Sequence, residues 1–307
     1  MSLRVRMFNM MLRHMVKRRF RRITGPHEAR AALEGGTHRL PIPSGLLVQR
    51  RDLGAVPALS VRAGVIRDYT HAVLYLHGGA YLAGSAWHYR GLAGEISRHL
   101  GAEVILPEYR LAPDHPLPAA PEDALAAWDG LLAKGFLPQD IAIAGDSAGG
   151  GLALGLLARL CARGTPPAAT CVMSPWTDLA GQGASLRENA EADPILPAEQ
   201  FGTLVDMLLA GAAPDDPLIS PLYSRFDGAG PVLIQHSLTE ILCDDSLRMA
   251  DRLRGFGVDV TVQSWPDTPH VWQIFARYLP EAEEAIEDLS RFIRRAWTAG
   301  PPAEGGS

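Results

Sequence analysis

Residues 141–151 read Ile-Ala-Ile-Ala-Gly-Asp-Ser-Ala-Gly-Gly-Gly. The first four make a short apolar strand, Gly145-Asp146-Ser147-Ala148-Gly149 is a Gly-x-Ser-x-Gly sequence, and residues 148–163 carry a helical pattern. A nucleophile on so sharp a strand-to-helix turn needs residues without bulk two before and two after it, so that the hydroxyl stands free while the backbone folds tightly. The helix after Ser147 aims its unpaired N–H groups and positive dipole end at any oxyanion forming there. The pentapeptide alone is weakly specific. The strand before it and the helix after it carry the reading.

Outward from this turn, apolar strand-like runs at 72–76, 103–106, 170–173, 232–235 and 258–263 join 141–144 as strands rich enough in Val, Ile and Leu to be buried on both faces. Runs at 46–50 and 59–63 read as an opening pair of edge strands. Helical patterns fall near 88–100, 121–134, 148–163, 245–256 and 280–297. The alternation predicts an α/β fold, a mostly parallel sheet with helices on both faces, which places ligands beyond the carboxyl ends of its strands. Residues 46–176 and 229–299 form the expected catalytic domain. Two stretches break the rhythm, 1–45 and 177–228, the second punctuated by Pro194, Pro197, Pro214, Pro217 and Pro221; both are expected to fold as a helical cap. Residues 300–307 are expected to be a disordered tail.

Composition narrows the function. The chain has 307 residues, 47% hydrophobic and 21% charged, and a net charge of -5, which gives no field favouring polyanions and excludes nucleic acid as an expected partner. No apolar run reaches the roughly 18 residues of a membrane-spanning helix. Three cysteines, Cys161, Cys171 and Cys243, are too few for a disulfide framework and point to a reducing compartment, the cytoplasm. No cluster has metal-ligand spacing and no nucleotide-binding glycine pattern is present, so no cofactor or metal is expected. The first 22 residues hold eight Lys and Arg and no acid, interleaved with Met7, Phe8, Met10, Met11, Leu12, Met15, Val16 and Phe20. They read as a basic amphipathic helix, packed on its own enzyme or in peripheral contact with a membrane.

A second motif, Tyr75-Leu76-His77-Gly78-Gly79-Ala80-Tyr81, follows a strand. Successive small residues let backbone N–H groups approach a carbonyl oxygen, and each such donor stabilises developing negative charge by about 3 kcal/mol. Gly79, Ala80 and Ala148 are the expected donors of an oxyanion hole, with Gly78 making its turn. Serine needs a base to take its proton, and neutral imidazole suits that near pH 7. His270, on the turn-rich loop Trp265-Pro266-Asp267-Thr268-Pro269-His270 after a strand, is the expected base, with a buried structural histidine as the alternative. His14, His27, His38, His71, His88 and His99 lie in helical or surface-like segments, and His77 reads as a loop-shaping residue.

His77-Gly78-Gly79-Ala80, Tyr109-Arg110-Leu111-Ala112-Pro113-Asp114-His115 with Pro118-Ala119-Ala120 and Asp123, Gly145-Asp146-Ser147-Ala148-Gly149-Gly150, and Pro269-His270 together resemble the hormone-sensitive-lipase-like bacterial carboxylesterases of the alpha/beta-hydrolase fold, over about residues 40–297. The resemblance implies hydrolysis of small-molecule carboxylic esters of short to medium acyl chain by a Ser-His-acid triad through an acyl-enzyme, and a homodimer. It leaves open lactones, carbamates or amides as substrates, and a non-enzymatic ligand receptor on the same scaffold.

In this architecture the acid falls between nucleophile and histidine, on a loop after a strand. Glu240, Asp244 and Asp245 follow the strand at 232–235. Glu240 matches the family's acid position. Asp244 is the alternative and reads better as a helix cap; Asp267 is an outsider. The glycine-serine pair that usually precedes the acid is replaced by His236-Ser237-Leu238-Thr239, so the path of this loop is open and His236 has no assigned role. Arg110 and Asp123 are expected to pair beside the site, and Asp146 to fix backbone.

Overall fold

The structure, a computed structural model, describes residues 3–35, 42–209 and 211–299. The expected tail and His38 lie outside the described residues. Eight strands, β1 (Leu47–Leu53), β2 (Val56–Arg62), β3 (Ala72–Leu76), β4 (Glu103–Pro107), β5 (Ile141–Asp146), β6 (Ala169–Met173), β7 (Val232–Ser237) and β8 (Val260–Trp265), form one sheet in the order β1-β2-β4-β3-β5-β6-β7-β8. β1 and β2 are an antiparallel hairpin closed at Leu53↔Val56, and β2 runs antiparallel to β4. Every other neighbour pair is parallel.

The helices are α1 (Leu3–Leu12), α2 (Arg18–Phe20), α3 (Pro26–Glu34), α4 (Ala86–Leu100), α5 (Ala119–Ala133), α6 (Ser147–Ala162), α7 (Ser185–Glu188), α8 (Phe201–Leu209), α9 (Cys243–Arg254) and α10 (Pro280–Ala299). Strand side chains alternate between two cores, as the period of two requires. Leu74, Ile143, Val172 and Ile234 face α5, α6 and α9; Val73, Ala142, Cys171 and Leu233 face α4 and α10. Each fully buried Leu, Ile or Val contributes on the order of 1.5–3 kcal/mol.

Two expectations need correction. β2 is interior, because β4 pairs with it on the side away from β1. β8 is an edge strand that begins at Val260, not 258, and its residues are only half buried, because β7 covers one side of it and, among the described residues, no strand covers the other. Its Val-Gln-Trp content marks a strand without marking its place in the sheet.

The amino-terminal segment, described from Leu3, is helical and packs on the body of the protein. A π-helical stretch, Arg13–Lys17, joins α1 to α2. The residues it buries, Val5, Asn9, Leu12, Lys17 and Phe20, follow helical spacing except for the five-residue step from Leu12 to Lys17. That step is the wider π turn, and it rotates a lysine onto the inner face. Phe8 packs edge-on against Phe275 with ring centres 4.8 Å apart.

Candidate active site

Ser147 stands where β5 turns into α6, with φ at 51°, a left-handed conformation that a non-glycine residue adopts only under constraint. The constraint is steric. A Cβ on Gly145 would collide with the carbonyl oxygen of Gly149, and one on Gly149 with the carbonyl oxygens of Leu76 and His77. The two glycines therefore let the turn close and let the loop after β3 lie against it.

That loop holds its shape through buried polar groups. Asp146 accepts hydrogen bonds from the Tyr75 hydroxyl (2.7 Å), the Gly78 N–H (3.0 Å) and the Tyr89 hydroxyl (3.0 Å). Burial raises its pKa to about 6 against these three donors. It fixes backbone, as expected. Gly78 spends its N–H on Asp146, so it makes the turn and does not face an oxyanion. Gly79 has φ at 123° and Ala80 at 54°. Among the described residues no protein oxygen accepts the N–H of Gly79, Ala80 or Ala148. His77 is buried, stacked on Tyr109 with ring centres 4.3 Å apart, and its Nδ1 lies 2.8 Å from the Gly78 oxygen. Burial lowers its pKa to about 4, so it is a neutral loop-shaping group.

His270 Nε2 lies 2.9 Å from Ser147 Oγ, and His270 Nδ1 lies 2.5 Å from Glu240 Oε2. Burial alone pushes the imidazole pKa down. The hydrogen bond and charge of Glu240, with the charges of Asp193 and Asp146 behind it, outweigh burial and hold the pKa above the usual histidine value. Glu240 is fully buried, and its Oε1 accepts the Ser237 N–H at 2.8 Å. Ser237 Oγ donates to the Thr268 carbonyl at 2.6 Å, so one serine ties the acid's loop to the histidine's. The path of this loop survives the loss of the usual glycine because His236 is absorbed into the sheet, its Nε2 2.8 Å from Ser264 Oγ on the neighbouring strand.

The rival acids are elsewhere. Asp244 accepts the Ser185 N–H at 3.0 Å, so it caps the start of α7 and not its own helix. Asp267 is linked to the amino-terminal helix by its carbonyl, which accepts from Asn9 at 2.6 Å. Asp245 is buried, accepts the N–H groups of Thr177 and Asp178, and is pushed by burial to about 7. Arg110 forks onto Asp123 through Nε and an Nη, at 2.8–3.0 Å, as expected.

The sequence reading assigned no site role to Asp193 or Lys17. Asp193 is buried and takes the N–H groups of Ile195 (2.8 Å), Leu196 (2.9 Å) and Ile241 (3.0 Å), the last adjoining Glu240; burial raises its pKa. Lys17 is buried and donates to the carbonyls of Ala190 (2.6 Å) and Asp193 (2.8 Å); burial lowers its pKa against the opposing pull of Asp193. Asn189 adds a bond to the Glu240 carbonyl at 2.9 Å. No sequence signal singled out Lys17, because the five-residue step that buries it belongs to the π turn. For a metal, Glu95, His99 and Glu283 bring three ligand-type atoms together between α4 and α10, but Arg98 and Arg277 already pair with these carboxylates.

An eight-stranded, mostly parallel sheet with a serine at the β5–α6 turn, and a histidine and acid on the loops after β8 and β7, defines an alpha/beta-hydrolase. The family model for the alpha/beta hydrolase fold matches residues 73–274. The chain is 40% identical over 235 residues to the acetyl-hydrolase of Streptomyces hygroscopicus, covering 76% of this chain and 79% of that one. It is 36% identical over 265 residues to esterase LipU of Mycobacterium tuberculosis, covering 84% and 85%. A crystal structure of an esterase from the bacterial hormone-sensitive lipase family superposes with a TM-score of 0.90 at 37% identity, over 97% of this chain and 99% of that one. The chain belongs to this hormone-sensitive-lipase-like family of alpha/beta-hydrolase esterases. Among the described residues no helix is long and apolar enough to cross a membrane.

Proposed function

We propose that the protein is a serine carboxylesterase in which Ser147, His270 and Glu240 are the catalytic triad, and that it hydrolyses esters of short to medium acyl chain. The carrying observation is the unbroken line Ser147 Oγ, His270 Nε2, His270 Nδ1, Glu240 Oε2, with contacts of 2.9 and 2.5 Å. Ser147 Oγ attacks the ester carbonyl while its proton passes to His270 Nε2, and Glu240 stabilises the imidazolium. The oxyanion is met by the N–H groups of Gly79, Ala80 and Ala148, which no protein oxygen accepts among the described residues. The C–O bond to the alcohol then breaks, and the leaving oxygen takes the proton from Nε2. Water, deprotonated by the same imidazole, attacks the acyl-enzyme, releases the acid and returns the proton to Ser147 Oγ.

In the same reading the described parts of residues 1–45 and 177–228 cap a catalytic domain of 46–176 and 229–299. The Asn9 bond to the histidine loop, and the edge-on packing of Phe201 against Trp176 at 5.4 Å, support that division. A cytoplasmic location is consistent with three free cysteines. A homodimer is the family expectation, tested by sedimentation equilibrium. The test of function is a panel of p-nitrophenyl esters from acetate to dodecanoate. Ser147→Ala should fold normally and lose several orders of magnitude in kcat. Absence of turnover on every ester by the unmodified protein, with ligand binding intact, would instead support a receptor; turnover of lactones or amides alone would redirect the substrate class.

A further inference from the structure

We propose that the outward face of α1 and the π turn after it docks on an anionic lipid surface. The helix has two apolar faces, not one. Val5, Leu12 and Phe20 pack inward, whereas Leu3, Met7, Met10 and Met15 point away from the body at 72%, 63%, 59% and 67% exposure. Positions 3, 7 and 10 fall on one side of an α-helix, and the slower rotation of the π stretch keeps Met15 near the same line. Unbranched, polarisable methionine side chains adapt to an irregular apolar medium.

The flanks carry the second observation. Arg4 and Arg6 are exposed beside the stripe, and Arg13, His14, Lys17, Arg18 and Arg21 line a recess with one acid, Glu191; Arg21 pairs with Glu191 and Glu199, which leaves Arg4, Arg6, Arg13 and Arg18 as the outward cations. The first 22 residues hold no acid, although the whole chain is net negative. An apolar stripe bordered by arginines fits the boundary between acyl chains and anionic headgroups, where long cationic side chains reach the phosphates. A second copy fits less well, because a two-fold interface would set these arginines against their own equivalents. This helix is not long and apolar enough to cross a membrane.

The experiment is co-sedimentation of the full chain with vesicles of phosphatidylcholine alone, or containing about a third phosphatidylglycerol, at about 0.05 M and 0.5 M salt. Binding is expected on the anionic vesicles at low salt, with little on phosphatidylcholine. The variant Met7→Gln/Met10→Gln/Met15→Gln should bind at least about tenfold more weakly. Arg4→Gln and Arg6→Gln should each weaken binding about fivefold. Turnover of a soluble p-nitrophenyl ester without vesicles should match the parent in all three, which separates lost docking from lost folding. Failure to bind anionic vesicles at low salt overturns the proposal. So does equal binding by the methionine variant, or methionine-dependent self-association that persists without lipid.

Discussion

Replacing Glu240 by Gln tests the acid assignment with little change of shape. The carboxylate touches Nδ1 at 2.5 Å in a fully buried setting, which puts the charge centres of carboxylate and imidazolium about 4 Å apart. At an effective dielectric constant of about 20 this pair is worth about 4 kcal/mol in the charged transition state, or about a thousandfold in kcat. The amide can also donate to Nδ1 and trap the imidazole with its proton on Nε2, the wrong tautomer for a base. The total expected loss is about 10³–10⁴, with KM little changed. Asp244→Asn should stay within about threefold in kcat, because that carboxylate serves the Ser185 N–H. The assay is kcat on p-nitrophenyl acetate as a function of pH, with a thermal melt of each variant. In the parent protein kcat/KM should fall as pH drops through a value above 6.5, since the base must be neutral and its pKa is raised. In Glu240→Gln the opposing influence of burial remains, so the acid limb should move to lower pH. An unmoved limb, or a Glu240→Gln variant within tenfold of the parent while Asp244→Asn is dead, would refute the reasoning.

Lys17→Met should leave the carbonyls of Ala190 and Asp193, the second of them buried, without their donor and cost about 1–3 kcal/mol of stability. If Lys17 positions the acid through Asp193 and Ile241, kcat should fall with KM nearly constant and the acid limb should shift; a melt change alone would mean a purely structural lysine. Gly149→Ala should drive a Cβ into the carbonyls of Leu76 and His77, displace the oxyanion loop and reduce kcat at least about a hundredfold. Parent-like turnover by this variant would show that the loop moves freely.

What the sequence made legible follows the type of constraint. The turn at Ser147 and the loop at Gly78-Gly79-Ala80 are steric requirements, and steric requirements are written as residue size at fixed spacing. The buried strands were equally plain because both their faces are apolar. β8 misled because an edge strand is half exposed yet still rich in β-formers. Glu240 was harder to single out from Asp244, four residues on, because the choice depends on the loop path that Ser237 sets through backbone contacts. The site roles of Lys17 and Asp193 were illegible, since their partners are mostly main-chain atoms, and Lys17 finds them 173 and 176 residues away. Nothing in the identity of Ala190 announces that its carbonyl is needed.

The lysine that grips main-chain oxygens has a practical side. Because its partners are carbonyls, amino acids at 190 could be exchanged with little effect so long as the chain keeps its course, whereas trimming the leading segment to obtain a smaller catalyst would withdraw the clasp altogether. An engineer seeking a minimal version should therefore keep the arm through position 20, or supply another cation to replace it.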